Sequence, residues 1–581
     1  MISQAFCQEI EYHVHMEKPE NHYFQVEMVV HDWKKNELEV KLPVWAPGSY
    51  LVREFAKNLD LVKAFDEKGN ALPIMKTSKN KWSIATNKSK KVSIKYEVYA
   101  FELTVRTSFL DFTHGFISGS GVFMYVENLK NKPGKVHIHP HESFKVITTA
   151  LEPATEQLAS DGVHSYKYSN YDQLVDCPIE VGNQVVFKFN SENVEHTVGI
   201  YGRGNYEIDQ LKEDMAKITS EATKVFGENP NKKYTFIIHN VEDGQGGLEH
   251  MNSTVLSVNR WTYKGSDYNK FLSLVAHEYF HLWNVKRIRP IELGPFNYDE
   301  ENYTDLLWVM EGFTSYYDEL LLLRSGYYSQ DEYLRKFNGS LNYVEGTYGS
   351  KVQPLAHSSY DAWIKAYRPN ENSSNTTIHY YTKGQMMAAI FDAMIVFEYK
   401  GKKSLDDFMQ VIYKKYYKEL NRGFTSKEFQ KELSEFVHQD LSEFFTNHIE
   451  GTIPPDYKVY FARVGIDVEY TGKSTPSMGI RFSDRGGKTI ISTVRRNSSA
   501  ENAGLSPGDE IIAVDGVRVD SKALGELFDT MEEGDKIPML ISRDNILFEI
   551  TVTVQNYEQP RYNLSPMNTS SEKLLRDYIL R

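Results

Sequence analysis

His277-Glu-Tyr-Phe-His281 lies in an apolar stretch, residues 271–283, of a segment with helical periodicity, residues 268–285. On a helix, residues four positions apart share a face, so the two imidazoles can bind one zinc ion. Glu278 lies beside them, where it can take a proton from the attacking water. Core histidines with satisfied hydrogen bonds are the alternative interpretation of this pentapeptide.

A catalytic zinc site needs a third protein ligand and one open position. Asn284 and Arg287 stand where the longer H-E-x-x-H-x-x-G-x-x-H pattern requires a glycine and a third histidine. The best carboxylate is Glu311, thirty positions after His281 and in another helix-like stretch, residues 305–323. A cap or an ion pair with Arg324 or Lys286 is the alternative role for Glu311. We predict one zinc ion per chain, with His277, His281 and Glu311 as ligands.

Three longer stretches extend this pattern: residues 277–290 (HEYFHLWNVKRIRP), residues 308–317 (WVMEGFTSYY) and residues 47–55 (PGSYLVREF). They resemble the gluzincin metallopeptidases, and within them the glycyl aminopeptidase family whose members carry a PDZ domain. The similarity covers nearly the whole chain in domain order. It implies a multidomain α+β fold with an N-terminal β-sandwich or saddle, a thermolysin-like catalytic domain, an α-helical domain and a C-terminal PDZ domain.

The segment Asp243-Gly-Gln-Gly-Gly-Leu-Glu-His250 looks like the Gly-x-Met-Glu-Asn element of related aminopeptidases. That similarity implies that Glu249 pairs with the α-ammonium group of the substrate. Gly246 and Gly247 allow a close approach of backbone to substrate. His250 departs from the pattern, which has asparagine there. An ordinary glycine-rich turn is the alternative interpretation.

Tyr380-Tyr-Thr-Lys-Gly384 resembles the Tyr-x-Lys-Gly element of the same clan. The resemblance implies that Tyr381 donates a hydrogen bond to the developing oxyanion. Tyr380 is the alternative for this role and a candidate substrate-binding residue. The alternative interpretation is that these tyrosines are ordinary core or surface residues without a catalytic role, because the chain has 38 tyrosines.

The pattern of strands, helices and turn residues changes several times along the chain. Residues 1–195 alternate apolar and polar residues, as half-buried strands do. We divide the chain into residues 1–195 (all-β), 196–335 (zinc catalytic), 336–455 (α-helical), 460–556 (PDZ) and 557–581 (tail ending in a short helix, residues 571–580).

The PDZ assignment depends on residues 498–516, which contain the turns Gly508-Asp and Asp515-Gly around a strand. Ser477-Met-Gly-Ile-Arg-Phe482 stands where PDZ domains keep their carboxylate-binding loop. Such loops accept a peptide or a chain terminus by strand addition. A peptide ligand is one expectation for this module, and packing on the catalytic domain without a ligand is the other.

Composition excludes several other classes of protein. The 581 residues exceed what one core can organise, and 66 basic against 79 acidic residues give a net charge of −13. We therefore expect neither nucleic acid nor a membrane as a partner. Two cysteines cannot form a disulfide scaffold, and no signal peptide or membrane span is visible, so a cytoplasmic location is expected, although an exported mature form fits as well.

These observations predict a zinc aminopeptidase that acts on peptides with a free amino terminus. The resemblance to the glycyl aminopeptidase family implies a preference for glycine, with alanine second. A zinc endopeptidase guided by its PDZ domain is the first alternative. A non-catalytic scaffold that presents a PDZ module is the second.

Overall fold

The structure is a computed structural model that describes residues 9–154 and 162–567. The described chain forms two compact units. The first comprises residues up to 303 with 317–327 and 409–424, and the second comprises residues 304–316, 328–408 and 425 onwards. The predicted terminal helix at residues 571–580 lies outside the described residues.

The first unit begins with an eight-stranded sheet. Two of its strands, Ile10–His15 and Gly134–His139, bury every second residue, as the alternating sequence predicts; Ile10–His15 buries Ile10, Tyr12 and Val14. One pair is parallel, between Ile10–His15 and Gly134–His139. In spatial order the strands are Glu152–Pro153, His164–Tyr168, Gly134–His139, Ile10–His15, Tyr23–His31, Lys91–Tyr99, Leu59–Phe65 and Ala71–Leu72.

Two smaller sheets complete the amino-terminal β region. One has the order Val146–Thr149, Ile179–Gly182, Gly115–Ile117 and Phe109–Leu110, and the other the order Glu37–Lys41, Lys81–Ala85 and Ile74–Ser78. A short helix, Tyr171–Val175, precedes Ile179–Gly182 and is capped by the Asn170 side chain. Asp176, at the end of this helix, contributes to the site described below.

A five-stranded mixed sheet and two helices of the same unit carry or adjoin Glu249, His277, Glu278 and His281. The strand order is Val185–Ser191, Val194–Tyr201, Lys233–Val241, Ser253–Asn259 and Gly247–Glu249. The last of these, the glycine strand, is an edge strand antiparallel to Ser253–Asn259. The helices are Ile208–Phe226 and Gly265–Phe280, and we call the second the histidine helix.

The second unit is mainly helical before the PDZ module. The helix Tyr380–Glu398, which we call the tyrosine helix, is buried on all faces, as expected of a helix inside a core. The glutamate helix, Leu307–Arg324, contributes residues to both units. The other α-helices of this unit before the PDZ module are Gln330–Gly346, Leu355–Tyr360, Ser373–Thr376, Ser426–Phe436, Ser442–Phe444 and Tyr457–Ala462, and Leu405–Ile412 is divided between the two units.

The PDZ module is a sheet with two helices, Ser499–Ala503 and Ser521–Phe528. Its strand order is Ile480–Arg485, Lys488–Val494, Glu510–Val514, Lys536–Arg543 and Ile546–Thr553, with Val517–Arg518 paired to Glu510–Val514. Two ribbons adjoin it, Ile466–Tyr470 with Tyr562–Pro566 and Lys473–Ser477 with Gln555–Gln559. The predicted α+β multidomain fold class is confirmed.

One predicted helix is longer than the observed one. The helix predicted at residues 268–285 ends at Phe280, and Val285, with a φ of 124°, departs from helical geometry. None of the described helices is long and apolar enough to cross a membrane.

Candidate metal centre

The two histidines of the H-E-x-x-H motif lie at the carboxyl end of the histidine helix. His277 is in its last turn, and His281 follows it directly with helical backbone angles. Their rings are 4.7 Å apart between centroids and nearly perpendicular. Both side chains therefore lie on one face, as the spacing of four predicts.

Each imidazole is oriented through its Nδ1 atom. His277 Nδ1 lies 2.8 Å from Asp318 Oδ2, and His281 Nδ1 donates to the Asn284 carbonyl oxygen at 2.7 Å. A carbonyl or carboxylate oxygen accepts here, so the proton is on Nδ1 and Nε2 is the nitrogen that can bind a metal. Asp318 lies seven residues after Glu311, two turns further along the glutamate helix.

The predicted ligands come together. One ligand atom from each of His277, His281 and Glu311 lies within 4.8 Å of the others. Glu311 and His281 are each 1% exposed, so water does not offset the negative charge of the Glu311 carboxylate. Two imidazoles and one carboxylate form a donor set typical of a catalytic zinc ion, and the chain fits that metal.

Glu278 and Glu249 lie beside these ligands. Ligand atoms of Glu249, Glu278 and His281 also lie within 4.8 Å of one another. The glycine strand passes close to Glu278, since a Cβ added to Gly247 would be 2.4 Å from the Glu278 carboxyl carbon. Any side chain at position 247 would displace that carboxylate. Gly246 has a φ of 106° and open space around it, so its need for glycine comes from the backbone.

A turn of the amino-terminal β region covers the Glu249 carboxylate. Gly48 has a φ of 87°, and a Cβ there would be 2.5 Å from Glu249 Oε1. That oxygen is buried and has no hydrogen-bond partner among the described residues. Glu249 also lines a cavity of about 470 Å³ together with Trp45 and Tyr50. A buried acceptor beside a cavity is suited to a cationic ligand.

Asp176 holds the end of the glycine strand in place. Its Oδ1 accepts hydrogen bonds from Lys286 Nζ at 2.7 Å and from His250 Nδ1 at 3.0 Å, and its Oδ2 accepts from the Met251 backbone N–H at 2.8 Å. Burial opposes ionisation of Asp176, but Lys286 and His250 outweigh it and hold the pKa of this carboxyl at about 2. His250, which departs from the asparagine of the related motif, therefore has a structural partner.

The glycines of two sequence motifs meet where two helices cross. A Cβ on Gly312, which follows Glu311, would be 2.4 Å from the Gly384 Cα atom. A Cβ on Gly384 would be 2.5 Å from the Trp308 carbonyl oxygen. The glutamate and tyrosine helices can approach this closely only because both positions lack a side chain. The crossing fixes Glu311 relative to Tyr381.

Gly384→Ala is expected to destabilise the protein by about 2 kcal/mol, because the added methyl group forces the helices apart. Activity is expected to fall with it, since Glu311 and Tyr381 shift. The matched control is Gly339→Ala, in the helix Gln330–Gly346, where an added Cβ meets nothing within 4 Å. Urea unfolding of both variants measures the difference, and equal stability of the two would contradict the close crossing.

Tyr380 and Tyr381 begin the tyrosine helix, with ring centroids 4.9 Å apart. Tyr380 is fully buried and Tyr381 is half-buried. Burial, only partly offset by Glu345, lowers the pKa of Lys383 to about 8. Burial also lowers the pKa of His379, and the charge of Glu311 opposes that shift. His379 and the start of the tyrosine helix therefore lie within the electrostatic reach of Glu311.

Sequence reasoning missed three residues that support this centre. Asp318 could have been found, because it lies on the same helix face as Glu311 at a spacing of seven. Gly48 belongs to a stretch whose resemblance was noted, but nothing in that stretch indicates its contact with Glu249. Asp176 has no local sequence signal at all, because its partners lie at least 74 positions away.

Family models match three segments of the chain. The Peptidase M61 N-terminal domain matches residues 11–183, M61 glycyl aminopeptidase matches residues 270–387, and a PDZ domain matches residues 476–554. No curated protein matches the chain.

Solved structures are also similar to the chain. An aminopeptidase N family protein from Idiomarina loihiensis is 29% identical, with a TM-score of 0.91 over 98% of this chain and 100% of that one. An M1 zinc metallopeptidase from Deinococcus radiodurans is 12% identical, with a TM-score of 0.49 over 77% of this chain and 94% of that one. Leukotriene A4 hydrolase from Saccharomyces cerevisiae is 12% identical, with a TM-score of 0.48 over 78% of this chain and 67% of that one.

The matched segments follow one another in the order that the sequence predicts, and the three residues predicted to bind zinc all lie in the M61 glycyl aminopeptidase segment. The chain therefore belongs to the PDZ-containing M61 family and is a zinc metallopeptidase of the aminopeptidase type.

Proposed function

We propose that this enzyme removes single amino-terminal residues from peptides and prefers glycine, with alanine second. The observation that carries the proposal is the grouping of two sets of side chains around His281. His277 and Glu311 each have a possible ligand atom within 4.8 Å of one on His281, and so do Glu249 and Glu278. One zinc ion per chain is the expected cofactor.

Zinc in this position would polarise the scissile carbonyl and make water a better nucleophile at neutral pH. Glu278 takes the proton from the attacking water and passes it to the leaving amine. Glu278 is 5% exposed and is held against the glycine strand, so its carboxylate has a fixed direction. Asp318 and the Asn284 carbonyl keep the imidazoles in orientation.

Glu249 binds the α-ammonium group of the substrate. Its buried Oε1 has no hydrogen-bond partner among the described residues, which favours a cationic ligand. Because the Glu249 carboxylate fixes the position of the substrate amine, only one residue lies between that amine and the scissile bond. Tyr381 donates to the oxyanion that forms on the scissile carbonyl, with Tyr380 as the alternative donor.

Glu249→Gln is expected to raise KM for alanyl anilide about a hundredfold, because the neutral amide loses its ion pair with the substrate amine. The control is Glu195→Gln, which removes an exposed carboxylate paired with Lys188 at 2.9 Å and should change nothing. Steady-state kinetics on glycyl, alanyl and leucyl anilides measure the effect and the size preference together. Leucyl anilide is included because the cavity beside Glu249, about 470 Å³, is larger than a glycyl residue.

Acetylated peptides separate this function from the endopeptidase alternative. Exopeptidase action requires a free amine, so acetylation should abolish cleavage. Cleavage of acetylated peptides at an unchanged rate would favour a PDZ-guided endopeptidase and remove the role of Glu249. If the protein binds no zinc and cleaves neither free nor acetylated peptides, the non-catalytic scaffold becomes the better interpretation.

A further inference from the structure

A second cavity, of about 750 Å³, lies within the second unit. One wall is helical and includes the end of the helix Gln330–Gly346 and the segment that leads into the tyrosine helix. The other wall belongs to the PDZ module and its adjoining ribbon. It includes the loop at Gly479, the neighbouring strands and residues 558–561.

The PDZ wall of this cavity is strongly cationic. Arg481, Arg495 and Arg561 line it, and none of them forms an ion pair with a carboxylate in the part of the chain that the structure describes. The Arg495 guanidinium instead lies over the Tyr557 ring at 5.2 Å. Glu558 is the one acidic residue among the described lining residues, and it accepts a hydrogen bond from the Tyr470 hydroxyl. Guanidinium groups gathered in this way attract a carboxylate.

The helical wall contributes a buried hydrogen-bond donor. Gln353 is 4% exposed and lines the cavity. Its Oε1 accepts from the Ile378 backbone N–H at 3.1 Å, whereas its Nε2 has no partner among the described residues. A buried amide donor without an acceptor costs free energy, and an acceptor atom of a ligand would remove that cost. Both walls therefore favour a ligand that accepts hydrogen bonds and carries negative charge.

The cavity reaches the start of the tyrosine helix. Ile378 and His379 line it, and Tyr380 and Tyr381 follow directly in the chain. A ligand that fills this cavity would therefore lie between the segment that leads into Tyr381 and the arginines.

The usual peptide groove of the PDZ module is a less suitable place for a ligand here. The strand Ile480–Arg485 and the helix Ser521–Phe528 border it, and two contacts already bridge them. The rings of Phe482 and Phe528 meet at 5.6 Å, and the Ser521 hydroxyl donates to Asp484. In the loop of the module, the Gly479 N–H already donates to the Ser477 hydroxyl at 3.0 Å, so this N–H does not face a ligand.

We propose that the cavity binds the terminal carboxylate of the peptide substrate, held by Arg481, Arg495 and Arg561 with Gln353 as a further donor. This inference rests on the proposed aminopeptidase function. It implies that the substrates are short peptides with a free carboxyl terminus and that the PDZ module takes part in binding them.

The test compares alanine peptides of three to six residues with their carboxyl-terminal amides. For the length that fits best, we expect the free acid to have a KM about tenfold below that of the amide, since a charge-assisted bond is lost in the amide. In Arg481→Ala and Arg561→Ala the KM of the free acid should rise to that of the amide. Arg485→Ala is the matched control, because Arg485 lies on the same strand as Arg481 and does not line the cavity. It should keep the tenfold difference.

Direct binding separates this inference from the proposed function. Fluorescence anisotropy of a labelled peptide acid and its amide requires no turnover, so a tenfold difference in Kd that disappears in Arg481→Ala supports the site even if anilides are not cleaved. Equal affinity of acid and amide at every length would overturn the inference while leaving anilide hydrolysis intact. A peptide amide whose last residue is glutamate, bound as tightly as the free acid, would overturn the assignment to the chain terminus.

Discussion

Glu278→Gln is expected to lower kcat for glycyl and alanyl anilides about a thousandfold, with little change in KM. Glutamine has nearly the same shape as glutamate, but its amide cannot take a proton from the attacking water. Because Glu278 is not one of the three predicted metal ligands, bound zinc should stay at one ion per chain. Steady-state kinetics and elemental analysis of the same preparation measure both quantities.

The control for this variant lies on the same helix. Asp267→Asn removes an exposed carboxylate that pairs with Lys270 at 2.8 Å, near the other end of the histidine helix. Its kinetics should match those of the original protein. Full activity of Glu278→Gln would show that the general base lies elsewhere. Loss of zinc in that variant would show instead that Glu278 contributes to metal binding.

The histidine helix shows what a sequence can predict about a metal site. Two imidazoles at a spacing of four share a helix face whatever surrounds them, so their proximity follows from local geometry. Glu311 is different, because thirty positions separate it from His281 and local helix geometry says nothing about the distance between them. The structure brings the three side chains together, and their role as zinc ligands stays a prediction until metal is measured.

Long-range packing explains what sequence reasoning did not find. Gly48 comes about 200 positions before Glu249, yet its missing side chain makes room for that carboxylate. Gly312 and Gly384 read as parts of separate motifs, and their common role emerges only where two helices cross. Strand Tyr562–Pro566, in the predicted tail, pairs with Ile466–Tyr470 almost a hundred positions earlier. Periodicity carries no information about such partners.

Asp176→Asn is expected to lower the free energy of unfolding by about 3 kcal/mol at neutral pH, because it leaves Lys286 buried without a counter-charge. The Lys286 side chain is 7% exposed and the Asp176 side chain 13%, so water replaces the lost interaction poorly. KM should rise as well, since Asp176 holds the backbone two residues after Glu249. Urea unfolding measures the change in the free energy of unfolding, and steady-state kinetics measure the change in KM.

The pH dependence of this variant distinguishes an ion pair from a packing contact. The pKa of Asp176 is about 2 in the folded chain, below its usual 3.8. A lowered carboxyl pKa contributes stability above the unfolded value, and that contribution is lost as pH falls through the folded value. The stability difference between the original protein and Asp176→Asn should therefore be constant above about pH 5 and shrink towards pH 2. Glu195→Gln, which breaks an exposed pair, should leave the free energy of unfolding nearly unchanged at any pH. A difference for Asp176→Asn that does not change with pH would mean that shape, and not the charge of Asp176, holds the glycine strand beside the metal ligands.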